Sequence, residues 1–238
     1  MLQASMLRAT QHIQSALLLA LSFAVMLGTS SAAHAKVLRL VDQNQQAVFD
    51  AVVSYALPAG AAAAPTNNSV AVMDQINKQF VPRVLIIQQG QQVTFPNSDD
   101  IRHHVYSFSA TKPFEIKLFK GSVNQPILFD REGIVVLGCN IHDQMVGYIY
   151  VSHNEVALQS DQNGEVVLPD DVDQVNIWHA NLSAQNTKRE MVDLRQLLVT
   201  TPKVNSQDKL VLPLPFTLNA VVEEKMPEST SKFKKKFN

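Results

Sequence analysis

Along residues 36–218 short apolar runs alternate with clusters of turn-forming residues, a spacing that suits strands and not long helices. Residues 37–41 and 48–55 are two strand-like runs parted by Asp42-Gln43-Asn44-Gln45. Residues 58–68 then break the pattern: Pro58 and Pro65 bracket too few residues for a useful helix, so the segment is expected to be a loop or linker. Between residues 69 and 152 the apolar runs come at 70–73, 84–88, 92–95, 104–108, 114–119, 126–129, 134–137 and 146–151. So many short strands, separated by signals such as Gln89-Gly90 and Pro96-Asn97-Ser98-Asp99-Asp100, predict an all-β sandwich or barrel. The alternation of strand and helix that builds a parallel sheet is missing.

Residues 154–218 repeat the style of the first segment. Runs at 156–158, 165–168 and 175–178 read as strands, and Asp161-Gln162-Asn163-Gly164 is a hairpin turn. Residues 187–198 stay open, because Met191, Leu194, Leu197 and Leu198 fit a helical stripe while a strand is equally compatible. Residues 210–218 are apolar but carry Pro213 and Pro215, which confines them to an edge strand or an extended segment. Neither flank alone has enough strands to cover an apolar face. Residues 36–57 and 154–218 are therefore expected to form one discontinuous sandwich, with the domain of residues 69–153 inserted between its strands.

Composition adds an address and several exclusions. Residues 1–35 hold Arg8, no acid, an apolar run at 16–27 and then Ala33-His34-Ala35, the three-part plan of a signal peptide cleaved after Ala35. The apolar run falls short of the roughly 20 residues that span a bilayer, so a periplasmic or secreted product without a transmembrane segment is expected. The formal charge of −1 leaves no global basic field for nucleic acid. Residues 219–238 end in a basic cluster, read as a solvated tail with contact to a membrane surface or partner as the lesser alternative. Cys139 is the single cysteine of the 238 residues, which excludes an internal disulfide and any multi-cysteine metal site.

That cysteine opens the segment richest in chemistry. Gly138-Cys139-Asn140-Ile141-His142-Asp143-Gln144-Met145 spaces cysteine, histidine and methionine as C-x2-H-x2-M between two apolar runs. Thiolate, imidazole and thioether together suit copper, whereas zinc or magnesium has little use for a thioether. A trigonal copper needs a second histidine, and the upstream candidates in the β core are His103 and His104. Neighbours on a strand face opposite ways, so one of the two can point at the metal and the other cannot. His153 and His179 have no ligand partner at useful spacing and are read as surface or structural residues.

Residues 69–153 resemble the cupredoxins, small blue copper proteins of the plastocyanin and amicyanin type. The resemblance rests on Phe80-Val81-Pro82 followed by residues 84–95, which look like their opening hairpin, and on Asn97 and Val105 flanking His103. It rests further on the C-x2-H-x2-M loop, similar to the short amicyanin arrangement. The resemblance implies a Greek-key sandwich holding one type 1 copper ion on His103, Cys139, His142 and Met145. His104 stands where the family usually has an asparagine that ties the first histidine to the cysteine loop. The pattern around His103 and Cys139 is also similar to exported cupredoxins labelled methylamine utilization proteins. Residues 40–53 and 160–169 resemble hairpins of transthyretin-like or carboxypeptidase-regulatory-like sandwiches, with Asp170-Asp171-Val172 in place of the usual glycine and aromatic.

The function so implied is an electron carrier serving a periplasmic redox partner such as a c-type cytochrome or dehydrogenase. His142 would be the partly exposed ligand, and Arg102, Lys117 and Lys120 would rim the docking face. Copper storage or delivery is the alternative. An enzyme is disfavoured, because no further histidine cluster offers a second metal site.

Overall fold

The structure, a computed structural model, describes residues 35–57, 69–122, 125–196, 209–213 and Leu218. The expected signal peptide of residues 1–35, apart from Ala35, the expected linker 58–68 and the expected tail 219–238 lie outside the described residues. The first flank supplies β1 (Ala35–Val41) and β2 (Val52–Ala56). The middle of the chain supplies β3 (Ala71–Val72), β4 (Asp74–Ile76), β5 (Gln79–Val81), β6 (Val84–Gln88), β7 (Gln92–Thr94), β8 (His103–Ser107), β9 (Phe114–Phe119), β10 (Ile127–Leu128), β11 (Gly133–Gly138) and β12 (Val146–Ser152). The last flank supplies β13 (Glu155–Gln159), β14 (Glu165–Pro169), β15 (Gln174–Trp178), β16 (Arg189–Asp193) and β17 (Lys209–Pro213), with one 3-10 turn at Ala180–Leu182. The expected all-β class holds.

Alternation of side chains stacks these strands into four layers around three apolar cores. The outermost sheet, β14-β1-β17, packs Leu38, Leu40, Val166, Leu168 and Leu212 against Val53, Ile177 and Val192 of the sheet β13-β2-β15-β16. The opposite face of that second sheet carries Val52 and Trp178, which meet Val84, Ile134, Tyr148 and Tyr150 of the sheet β6-β12-β11-β8-β9. The far face of the third sheet puts Ile87, Val105, Val135, Leu137, Ile149 and Val151 against Val93 and Ile127 of the sheet β10-β7-β3 and against Phe129, just past β10. A strand between two cores needs apolar residues at consecutive positions. β12, Val-Gly-Tyr-Ile-Tyr-Val-Ser, is such a strand, buried at every position after its first.

Among the described residues β1 pairs with β14 and β17, and β2 with β13 and β15, so both early strands find partners beyond residue 154. The junction of the second and third layers is built from aromatics. Trp178 is fully buried with ring centroids 5.4 Å from Tyr148 and 6.2 Å from Tyr150, and its indole N–H donates to the Asn186 carbonyl at 2.7 Å. The Tyr150 hydroxyl donates to Glu155 at 2.8 Å and accepts from Arg189 at 3.1 Å, so this buried hydroxyl, like the indole N–H, is paired rather than stranded.

Two elements differ from the sequence reading, and one that it left open is settled. Residues 74–81 form a separate hairpin, β4 with β5, whose turn residues Asn77 and Lys78 both adopt left-handed φ, 53° and 59°. The usual Asn-Gly signal for such a turn is absent here, so the hairpin left no mark in the pattern. β6 and β7 are not hairpin partners: the chain turns at Gly90 (φ 88°) and crosses to the opposite sheet, β6 pairing in parallel with β12. Residues 189–193 are a strand with Val192 buried and Met191 exposed, because pairing to β15 outweighs the helical stripe. β17 is an edge strand running parallel to β1 and ends at Pro213, where a missing N–H costs the ladder nothing.

Candidate metal centre

The loop after β7 prepares His103. Asn97, almost fully buried, donates its side-chain amide to the carbonyls of Ile101 and Phe119, each at 2.9 Å, and accepts from the Asp99 N–H at 3.0 Å. The Asp99 carboxylate is thereby aimed back at the histidine, 2.6 Å from its Nε2. It also accepts the N–H groups of Asn77 at 2.6 Å and Lys78 at 2.8 Å. Burial pushes the Asp99 carboxyl up, but hydrogen bonds from Lys78, the His103 ring and Asn77 outweigh it and hold the group below the usual range.

β8 then separates the two neighbouring histidines. His103, Val105 and Ser107 face the core, and His103 is fully buried. The ladder with β9 shifts register between His103 and Val105, a bulge beside the histidine. His104 points to the other face, where Nε2 lies 2.9 Å from Glu115 and the ring packs 5.7 Å from that of Tyr106. His104 thus makes no tie to the cysteine loop, and the buried amide that anchors the His103 segment is Asn97.

Cys139 follows β11, and the chain from there to Met145 makes two successive tight turns. The His142 N–H donates to the Cys139 carbonyl at 3.4 Å, and the Met145 N–H to the His142 carbonyl at 2.9 Å. These turns bring the C-x2-H-x2-M side chains to one end of the core between the third and fourth sheets. Cys139 Sγ lies 3.8 Å from His103 Nδ1 and 3.7 Å from His142 Nδ1, and all three donor atoms fall within 4.8 Å of one another. The two imidazole rings meet edge to face at 5.0 Å. His103 and Cys139 are buried and His142 is half-buried. Met145 is buried in the same core cluster as Cys139.

These separations fit a single small ion. Metal–nitrogen bonds of about 2.0 Å and a metal–sulfur bond of about 2.3 Å, opened to about 120°, place nitrogen and sulfur about 3.7 Å apart. Asp99 engages Nε2 of His103, which leaves Nδ1, the nitrogen facing the thiol, as the donor. The donor chemistry of two imidazoles and one thiol with a thioether nearby is that of a soft or borderline redox metal.

The remaining candidates lie elsewhere. His153 is exposed and bonded to Asn154, while His179 is buried in the outer layers, its Nδ1 accepting the Asn181 N–H at 3.1 Å. Arg102 and Lys117 are exposed, and Lys120 pairs with Asp100 at 3.7 Å. The sequence reading had treated Asp99 only as a turn residue. Its signal was a carboxylate four positions ahead of a candidate ligand in a loop, which spacing alone does not distinguish from an ordinary turn. Among the described residues no helix is long and apolar enough to cross a membrane.

No family model matches the chain, and no curated protein matches it. Solved structures similar to it include a Cu-containing nitrite reductase from Thermus scotoductus SA-01, at 26% identity over 42% of this chain with a TM-score of 0.34. That match covers 25% of the reductase, so the chain spans about a quarter of its length. A purple cupredoxin from Nitrosopumilus maritimus is similar at 24% identity, over 34% of this chain and 99% of its own, with a TM-score of 0.32. A mutant amicyanin in its reduced state is similar at 19% identity, over 43% of this chain and 99% of its own, with a TM-score of 0.33.

Proposed function

We propose that the chain is an exported type 1 copper protein that passes single electrons between periplasmic redox partners. The observation that carries this reading is the convergence of His103 Nδ1, Cys139 Sγ and His142 Nδ1 within 4.8 Å, two of the three residues buried, at the end of a β core that also holds Met145. His103, Cys139 and His142 would hold the ion, with the Met145 thioether as a weaker fourth donor. Copper supplies the one-electron chemistry when bound, alternating between Cu(I) and Cu(II).

The protein's part is to hold the donors still. His103 is fixed between the core and Asp99, and Cys139 and Met145 are locked in packed surroundings, so little rearrangement opposes a change of charge. The half-buried His142, beside the exposed Ile141, is the contact for a redox protein with an apolar docking face. Residues 69–153 form the copper-carrying domain in this reading, and residues 36–57 with 154–218 form the discontinuous sandwich around it.

Titration with Cu(II) tests the proposal. One equivalent is expected to give an intense visible thiolate charge-transfer band that bleaches reversibly on reduction, and Cys139→Ser to lose the band. Met145→Leu is expected to retain copper and shift the reduction potential, measured by redox titration. A tight but colourless Cu(II) complex would replace electron transfer by storage or delivery, and a band that survives Cys139→Ser would overturn the ligand assignment.

A further inference from the structure

The β4–β5 hairpin is the one middle-segment element outside the two facing sheets, yet it touches both ligand-bearing segments. On one side it is laced to the loop that carries Asp99. Gln75, fully buried, donates its side-chain amide to the Pro96 carbonyl at 3.0 Å, and its own carbonyl accepts the Ser98 N–H at 3.1 Å. Asp74 accepts the Ser98 hydroxyl at 2.7 Å. At the tip, the left-handed Asn77 and Lys78 point two successive N–H groups at the Asp99 carboxylate. On the other side Phe80 is packed into the core with Cys139 and Met145, its ring against Gly147.

Two consecutive left-handed residues without a glycine are costly in a hairpin turn, since each pays for a crowded Cβ. Here the conformation is what directs both N–H groups into one concavity, an anion-holding arrangement of backbone donors. The anion held is an internal side chain: Oδ1 takes the Asn77 N–H, and Oδ2 takes the Lys78 N–H and bonds the His103 ring.

We infer that the Asn77-Lys78 turn and Asp99 together form a positioning device: the turn holds the carboxylate, and the carboxylate fixes His103 as the Nε2–H tautomer with its Nδ1 lone pair facing Cys139. A neutral imidazole has one donor and one acceptor nitrogen, so the group that takes the proton of one decides which is free to bind a metal. Asp99 is a positioning residue, acting through His103, and the hairpin tip acts through Asp99. The consequence for copper rests on the function proposed above, whereas the tautomer belongs to the metal-free chain.

The test therefore begins without metal. Nitrogen-15 NMR of the metal-free protein at alkaline pH is expected to show His103 with a protected Nε2–H proton and an unprotonated Nδ1. In Asp99→Ala that proton is lost to solvent exchange, and amide exchange at Asn77 and Lys78 speeds up at least tenfold. Asp100→Ala, which removes the neighbouring carboxylate paired with Lys120, leaves both unchanged. If Asp99→Ala does not fold, Asp99→Val, which fills more of the space and also lacks an acceptor, is read in the same way. A proton on Nδ1 in the wild type, or retained protection of either the ring proton or the two amides in the Asp99 variant, overturns the inference. On the same samples Cu(II) affinity is expected to fall about 10–100-fold in the Asp99 variant. A wild type with the expected tautomer and no copper binding would refute the proposed function and leave the positioning device standing.

Discussion

Gly147→Ala should destabilise the protein more than Gly138→Ala, although both add one methyl to a strand glycine close to the metal-ligand loop. Neither glycine has a left-handed φ, so alanine can adopt either backbone and gains about 0.4–1 kcal/mol from the restricted unfolded chain. What differs is the neighbour. A Cβ on Gly147 falls 2.7 Å from Phe80 Cβ, 2.9 Å from its Cγ and 3.0 Å from its Cδ2. Those atoms stand at the root of a side chain with 2% exposure and cannot swing away without moving β5. Overpacking of this kind costs about 1–3 kcal/mol, which leaves a net loss of up to about 2.6 kcal/mol and about 1.3 kcal/mol at mid-range. A Cβ on Gly138 meets Tyr106 Cζ at 2.7 Å and Oη at 2.8 Å, the far end of a half-buried ring that can rotate outward. There the relief nearly matches the strain, and the net change is expected within about 1 kcal/mol. Urea unfolding of the metal-free protein, followed by fluorescence of the single Trp178, measures both. A loss of about 1.5 kcal/mol moves the midpoint by roughly 0.7 M for an m-value of about 2 kcal/mol per M. An unshifted midpoint for Gly147→Ala, or a larger loss for Gly138→Ala, would refute the argument that rigidity of the contacted atom sets the cost.

Two further predictions concern the histidines. His103→Ala should abolish stoichiometric Cu(II) binding in a calorimetric titration, while His104→Ala, which loses only the Glu115 contact and the packing on Tyr106, should keep affinity within about tenfold. Equal losses would mean that β8 presents both rings to the metal. His179 is pushed down from 6.5 to about 4, first by burial and then by the Arg83 charge, so the unfolded chain binds its proton before the folded chain does. Stability from this group is complete above pH 6.5 and is lost as pH falls towards 4, by about 3 kcal/mol in total. Urea midpoints at several pH values should show this slope, and His179→Asn, whose side-chain oxygen can still accept the Asn181 N–H, should flatten it.

Much of the fold and the candidate site was legible in the sequence because two rules act locally. Strand alternation placed His103 and His104 on opposite faces without any knowledge of partners, and the run of apolar residues at 146–151 marked a strand, which the structure buries on both sides. The loop after Cys139 was legible for a chemical reason, since thiol, imidazole and thioether three residues apart serve few purposes together. What the sequence hid depends on long-range geometry. Asp99 becomes significant only because Asn97 turns its carboxylate towards His103, and the Asn77-Lys78 turn only because Asp99 lies beneath it. Residues 189–193 stayed open between helix and strand for the same reason: Val192 is inward because β15 lies alongside, which no window of local periodicity records.

The pairing of β1 and β2 with strands beyond residue 154 also sets an order of events. These two strands are made early, yet every ladder partner they have among the described residues is synthesised about 100 to 170 residues later. The strands between residues 71 and 152 pair among themselves and need nothing from either flank to close their ladders. The entropy of closing so long a loop grows only slowly with its length, so the topology costs little at equilibrium, but distant pairing is slow to find. During folding the inner body thus forms ahead of the outer one, and its face of Ile134, Tyr148 and Tyr150 is the template against which Val52 and Trp178 come to rest. Until then β1 and β2 are unpaired edges, the part of the nascent chain most in need of a chaperone's cover.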